Sequence, residues 1–106
     1  MNQNDREYLI DMVQQGKMTP SEANVEKVRM SRLLVVTKLP KEVRNALNSA
    51  VKDGVLGHKK KSGFMPEVYY HPRFEYLANE ARNKAAMEGV NAIASVMVRK
   101  GDLQNE

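Results

Sequence analysis

The chain of 106 residues contains no cysteine. That absence excludes a disulfide scaffold, a thiolate metal site and a cysteine nucleophile, and it fits a reducing, cytoplasmic setting. Long hydrophobic runs are missing too. The longest is Leu33, Leu34, Val35 and Val36, far short of the roughly 20 apolar residues that a membrane span needs. The opening residues, Met1-Asn2-Gln3-Asn4-Asp5-Arg6-Glu7, do not read as a secretory signal, which needs a basic start followed by an apolar stretch. There is no internal repeat, low-complexity segment or Pro- or Ser-rich linker, so one domain over residues 1–106 is expected. A Gly-rich phosphate loop, HExxH and GxSxG are all absent. Without a positioned nucleophile, base or cofactor motif, the chain reads as a binding protein and not an enzyme.

What is present is an ordinary globular composition, 42% hydrophobic and 28% charged, with a net charge of +4. The net figure hides an asymmetry. Residues 27–61 hold ten basic residues against Glu42 and Asp53, a local charge of +8. Residues 1–26 carry −3 and residues 62–106 carry −1. All the excess positive charge therefore sits in the central third of the chain. Such a block attracts polyanions, with a salt-dependent gain for every phosphate neutralised. The plain alternative is a solvated basic face.

Periodicity places the elements. Tyr8, Leu9, Met12 and Val13 recur at helical spacing, and Gly16 gives a stop. Thr19-Pro20-Ser21-Glu22 then supplies an N-cap hydroxyl, a proline at the first helical position and an acid three residues after the cap. This second helix is expected to pass Val25, Val28 and Arg32 and continue to about Leu34, the alternative being a short strand over the β-branched stretch Leu33 to Thr37. Val43, Ala46, Leu47, Ala50 and Val51 form a full amphipathic stripe, with Pro40 in the first turn and Asp53-Gly54 at the end. Two short strands follow, over residues 55–58 and 67–71, joined by Lys59-Lys60-Lys61-Ser62-Gly63. From Arg73 to Lys100 the pattern is helical again, interrupted at Gly89, which predicts a kink or two helices.

The order helix, turn, helix, short loop, amphipathic helix, hairpin with a basic tip resembles the winged helix-turn-helix superfamily of DNA-binding domains. The likeness covers residues 19–71, about half the chain. Its most telling piece is Leu39-Pro40-Lys41-Glu42-Val43-Arg44-Asn45-Ala46-Leu47-Asn48-Ser49-Ala50-Val51-Lys52-Asp53-Gly54-Val55-Leu56. The resemblance implies a mainly α fold with a two-stranded wing and a long C-terminal helix. It makes residues 40–53 the recognition helix that enters the major groove of double-stranded DNA. Arg44, Asn45 and Asn48 become candidate base-edge readers, since arginine matches guanine and asparagine matches adenine in bidentate fashion. Lys41 and Lys52 are placed for phosphates, and Lys59, Lys60 and Lys61 for the backbone at the wing tip. The family often carries a short strand and a compact second helix before the recognition helix, a region occupied here by Leu33 to Thr37. Transcriptional or replication control is the implied role. The competing class is a small modulator, of the kind phages encode, that sets the same basic face against a host protein.

His58 and His71 are the only imidazoles. They lie on the two expected strands with Glu67 nearby, but their spacing matches no tight metal motif, so no metal or cofactor is expected. Tyr69 and Tyr70 are adjacent in a strand, so one is expected in the core and the other free. The late apolar positions Ile93, Val96, Met97 and Val98, preceded by small Ala85, Ala86, Ala92 and Ala94, leave apolar surface to spare. They predict a homodimer through the C-terminal helix; the alternative is that this helix folds back on residues 8–13.

Overall fold

Local capping chemistry decides where the second helix begins. In the computed structural model, which describes the backbone of residues 3–104 and the side chains of residues 3–91, α1 (Gln3–Gln14) is followed by Gly16 at φ +72°. Thr19 then opens α2 (Pro20–Ser31). Its Oγ1 accepts the Glu22 N–H at 3.1 Å, and the Glu22 carboxylate accepts the Thr19 N–H at 3.3 Å. This reciprocal capping satisfies two orphan donors and contributes about 1 kcal/mol to the helix.

The second helix stops earlier than its sequence suggested. It ends at Ser31, Arg32 turns into the left-handed region at φ 71°, and Leu33–Val35 become strand β1. Pairing decides the outcome. Leu33 lies opposite Tyr70 and Val35 opposite Val68 of strand β3 (Val68–Tyr70). Beyond the strand ends, Arg32 O accepts the His71 N–H and Val36 N–H donates to Glu67 O, both at 2.9 Å. A continued helix would forgo this ladder, and β-branched residues lean toward it.

After a loop comes α3 (Lys41–Lys52), then β2 (Gly57–Lys59) and β3. The sheet is antiparallel with the order β1-β3-β2. The expected two-stranded wing is therefore two thirds of a three-stranded sheet, because β1 takes the free edge of β3. The two hairpin strands are also three residues each, shorter than expected. A 3₁₀ turn (Pro72–Phe74) leads into α4 (Glu75–Gln104).

The central strand is covered on both faces. Tyr69 packs with Val28, Leu47, Ala50 and Leu56 on the α2–α3 side. Val68 and Tyr70 pack with Ala78 of α4 and with Leu33 on the other. Tyr69 and Tyr70 are thus both buried, at 0% and 7% exposure, where one was expected to be free. Alternation in a strand does send neighbours to opposite faces. What it could not reveal is that α4 roofs the second face.

Gly57 and Tyr70 face each other across β2 and β3, and the tyrosine ring lies where a Cβ on residue 57 would be. Gly89 does not divide α4, which runs unbroken from Glu75 to Gln104. The ring of Phe64, from the loop between β2 and β3, rests against it, and a Cβ there would stand 3.0 Å from Phe64 Cδ1. Arg82 reinforces that docking: its Nε donates to Pro66 O at 3.1 Å and its Nη2 to Lys60 O at 2.7 Å. The extents are 67 × 25 × 23 Å and the radius of gyration 18.3 Å, against about 13 Å for a compact chain of this length. The expected dimer cluster at residues 92–98 lies outside the residues whose side chains are described.

Candidate nucleic-acid interface

Val43, Leu47, Ala50 and Val51 turn one side of α3 toward the core. At 100° per residue, Lys41, Asn45, Asn48 and Lys52 fall within about 60° of arc on the opposite side. All four residues are exposed. Lys41, Asn45 and Lys52 have no hydrogen bond or ion pair among the described residues. The stripe therefore presents two cations, spaced by about 16 Å of helix, with two amides between them.

Arg44 lies on the flank of that stripe, toward the sheet. Its Nη1 and Nη2 donate to the two carboxylate oxygens of Glu67 at 2.9 and 3.0 Å. Glu67 Oε2 is also 2.7 Å from Nε2 of His58 on β2. The His58 ring stacks on Tyr69, with centroids 4.3 Å apart and planes 14° from parallel. The circuit closes when the Tyr69 hydroxyl donates to Oδ1 of Asn48, back on α3. Two of the residues expected to read bases, Arg44 and Asn48, thus fasten α3 to the hairpin.

The electrostatics follow from this geometry. The Arg44 fork, aided by His58 and opposed by partial burial, holds the Glu67 carboxyl down at about 2. Arg44 is pushed up in return, first by the hydrogen bonds to Glu67 and then by its charge. Burial, with the Glu67 charge behind it, pushes the Tyr69 phenol up, so the hydroxyl stays protonated and donates. A free guanidinium on the flank would match guanine. Here its planar fork is filled by a carboxylate.

The hairpin lysines diverge. Lys60 and Lys61 are exposed in the loop. Lys59 is partly buried and turns toward α4, its Nζ 3.5 Å from Glu75 Oε1 and 5.8 Å above the Tyr70 ring. The histidines diverge as well. His71 Nδ1 accepts the Arg73 N–H at 3.1 Å and caps the 3₁₀ turn, so it does not join His58 at Glu67. Sequence reasoning overlooked the pairing of Glu67 with Arg44, 23 residues away. One signal was available: Glu67 is the first acid after a block of +8. It also overlooked Arg82, whose partners are backbone carbonyls and leave no sequence trace.

No protein-family model, curated protein or solved structure matches this chain. Among the described residues, no helix is long and apolar enough to cross a membrane.

Proposed function

We propose that this protein binds double-stranded DNA in the manner of a winged helix-turn-helix domain, as a regulator of transcription or replication. The observation that carries the reading is the exposed Lys41–Asn45–Asn48–Lys52 stripe on α3, flanked by a hairpin whose Lys60 and Lys61 are exposed. In this reading α3 lies in the major groove, Lys41 and Lys52 meet phosphates, and Lys60 and Lys61 contact the backbone. Asn45, unencumbered, offers both amide atoms to an adenine edge. Asn48 Oδ1 already accepts the Tyr69 hydroxyl, but its Nδ2 remains to donate and Oδ1 keeps a second lone pair. Arg44 reads guanine only where DNA outcompetes Glu67; otherwise it orients the hairpin against α3.

The order of α2, α3 and the β2–β3 hairpin supports the resemblance. The departure from it is the loop of residues 36–40, where the family often carries a compact helix. A mobility-shift titration against random-sequence duplex DNA at low and moderate salt tests the proposal. Binding should appear at low salt and weaken steeply as salt rises. Failure to bind at low salt would overturn it and transfer the basic face to an acidic protein partner.

A further inference from the structure

The outer face of α4 carries apolar side chains that the described structure leaves in solvent. Ala78 and Gly89 face the sheet and the hairpin loop. On the opposite side, Tyr76, Met87 and Val90 are 56, 61 and 47% exposed. These residues are not scattered. Tyr76, Glu80, Asn83, Met87 and Val90 follow alternating steps of four and three, and the sequence continues the alternation at Ala94 and Met97. An average step of 3.5 is the period of a seam between two helices wound around each other. From Met87 onward every seam position through Met97 is apolar.

Among the described residues, Met87 and Val90 stand exposed on this seam, and Tyr76 meets the tilted Phe74 ring at 6.1 Å between centroids. The main packing of α4 is against β3 and the 3₁₀ turn, while α1 packs on α2. A 30-residue helix is about 45 Å long, and by continuing past the sheet it stretches the molecule to 67 Å. Charge then selects the occupant. α4 holds four acids (Glu75, Glu80, Glu88, Asp102) and four bases (Arg82, Lys84, Arg99, Lys100), although the whole chain is +4. A second copy can approach along α4 without the repulsion that separates the basic faces.

We propose that two copies of this chain pair through the outer face of α4, antiparallel, with Met87 of each opposite Val90 of the other. Orientation follows from Glu80. In a parallel, in-register pair it would face its own copy across the seam, like charge on like. Antiparallel pairing about residues 88 and 89 instead sets Glu80 of each copy opposite position 97 of the other, so the two Glu80 carboxylates lie at opposite ends of the seam. Each two-fold-related contact is then made twice. This pairing stands apart from DNA binding and survives its failure.

Size exclusion with light scattering on the full chain at micromolar concentration should give twice 12.0 kDa. Met87 is exposed, so Met87→Glu should raise the dimer dissociation constant at least tenfold and leave the circular dichroism spectrum unchanged. The absence of cysteine allows an orientation test. An equimolar mixture of Met87→Cys and Val90→Cys chains should form disulfide-linked dimers faster than either variant alone. A monomer at all concentrations, or a dimer indifferent to Met87→Glu, would overturn the proposal. So would a Val90→Cys chain that cross-links to itself faster than the mixture does, since that is the parallel arrangement.

Discussion

Arg44 of α3 and Glu67, one residue before β3, meet in a two-bond fork at 2.9 and 3.0 Å. They lie 23 residues apart in sequence and join the helix to the hairpin. The same carboxylate engages His58 at 2.7 Å, so a single acid organises the junction. Arg44 remains 39% exposed in this pair, and solvent screening keeps its own contribution to stability small.

Acid should loosen that junction. The Glu67 carboxyl sits at about 2 in the folded chain against an ordinary 4.5. A depressed carboxyl stabilises the fold fully above its unfolded value and loses that contribution as pH falls through the folded one. The window is therefore from about pH 4.5 down to about 2. Thermal melts across this range should show a steeper loss in the native chain than in Glu67→Gln, whose amide does not ionise.

Leu47 is fully buried at the centre of the α2–α3 core. Leu47→Ala should cost about 2–5 kcal/mol, measured by urea unfolding. Much of the stability of so small a domain would be lost with it.

Tyr69→Phe separates the ring from its hydroxyl. The ring keeps its packing on His58 and the core, while the hydrogen bond to Asn48 disappears. The expected cost is about 1 kcal/mol in the same unfolding experiment. A loss several times larger would mean that the hydroxyl holds more than Asn48.

Gly57→Ala places a methyl group in the space of the Tyr70 ring. Overpacking of this kind should destabilise by about 1–3 kcal/mol. The near-ultraviolet circular dichroism of the tyrosines should change with it, because the ring has to move.

For DNA binding, Lys60→Ala and Lys41→Ala should each weaken affinity across all sequences and lower the salt slope by about 1. Asn45→Ala should instead relax sequence preference, by about 1–3 kcal/mol at one base pair. Arg44→Ala is the informative contrast. A guanine reader loses preference at one position, whereas a clamp for the hairpin loses affinity generally.

Sequence alone determined the features that depend on neighbours along the chain. The Thr19–Glu22 cap, the amphipathic α3 with its Lys41–Asn45–Asn48–Lys52 face, and the hairpin around Lys59 to Lys61 all follow from interactions within a few residues. Only the tertiary structure decided the rest. Local propensity allowed Leu33–Val35 to be either helix or strand, and the edge of β3 decides for the strand by supplying a ladder. Tyr70 is buried because α4 returns over the sheet, and Gly89 sits within one helix because Phe64 packs on it. Arg44 finds Glu67 only once α3 and β3 are packed together. Long-range pairs carry no periodic signature, so a side chain's solvent-facing position on its own helix does not reveal what the remainder of the fold brings against it.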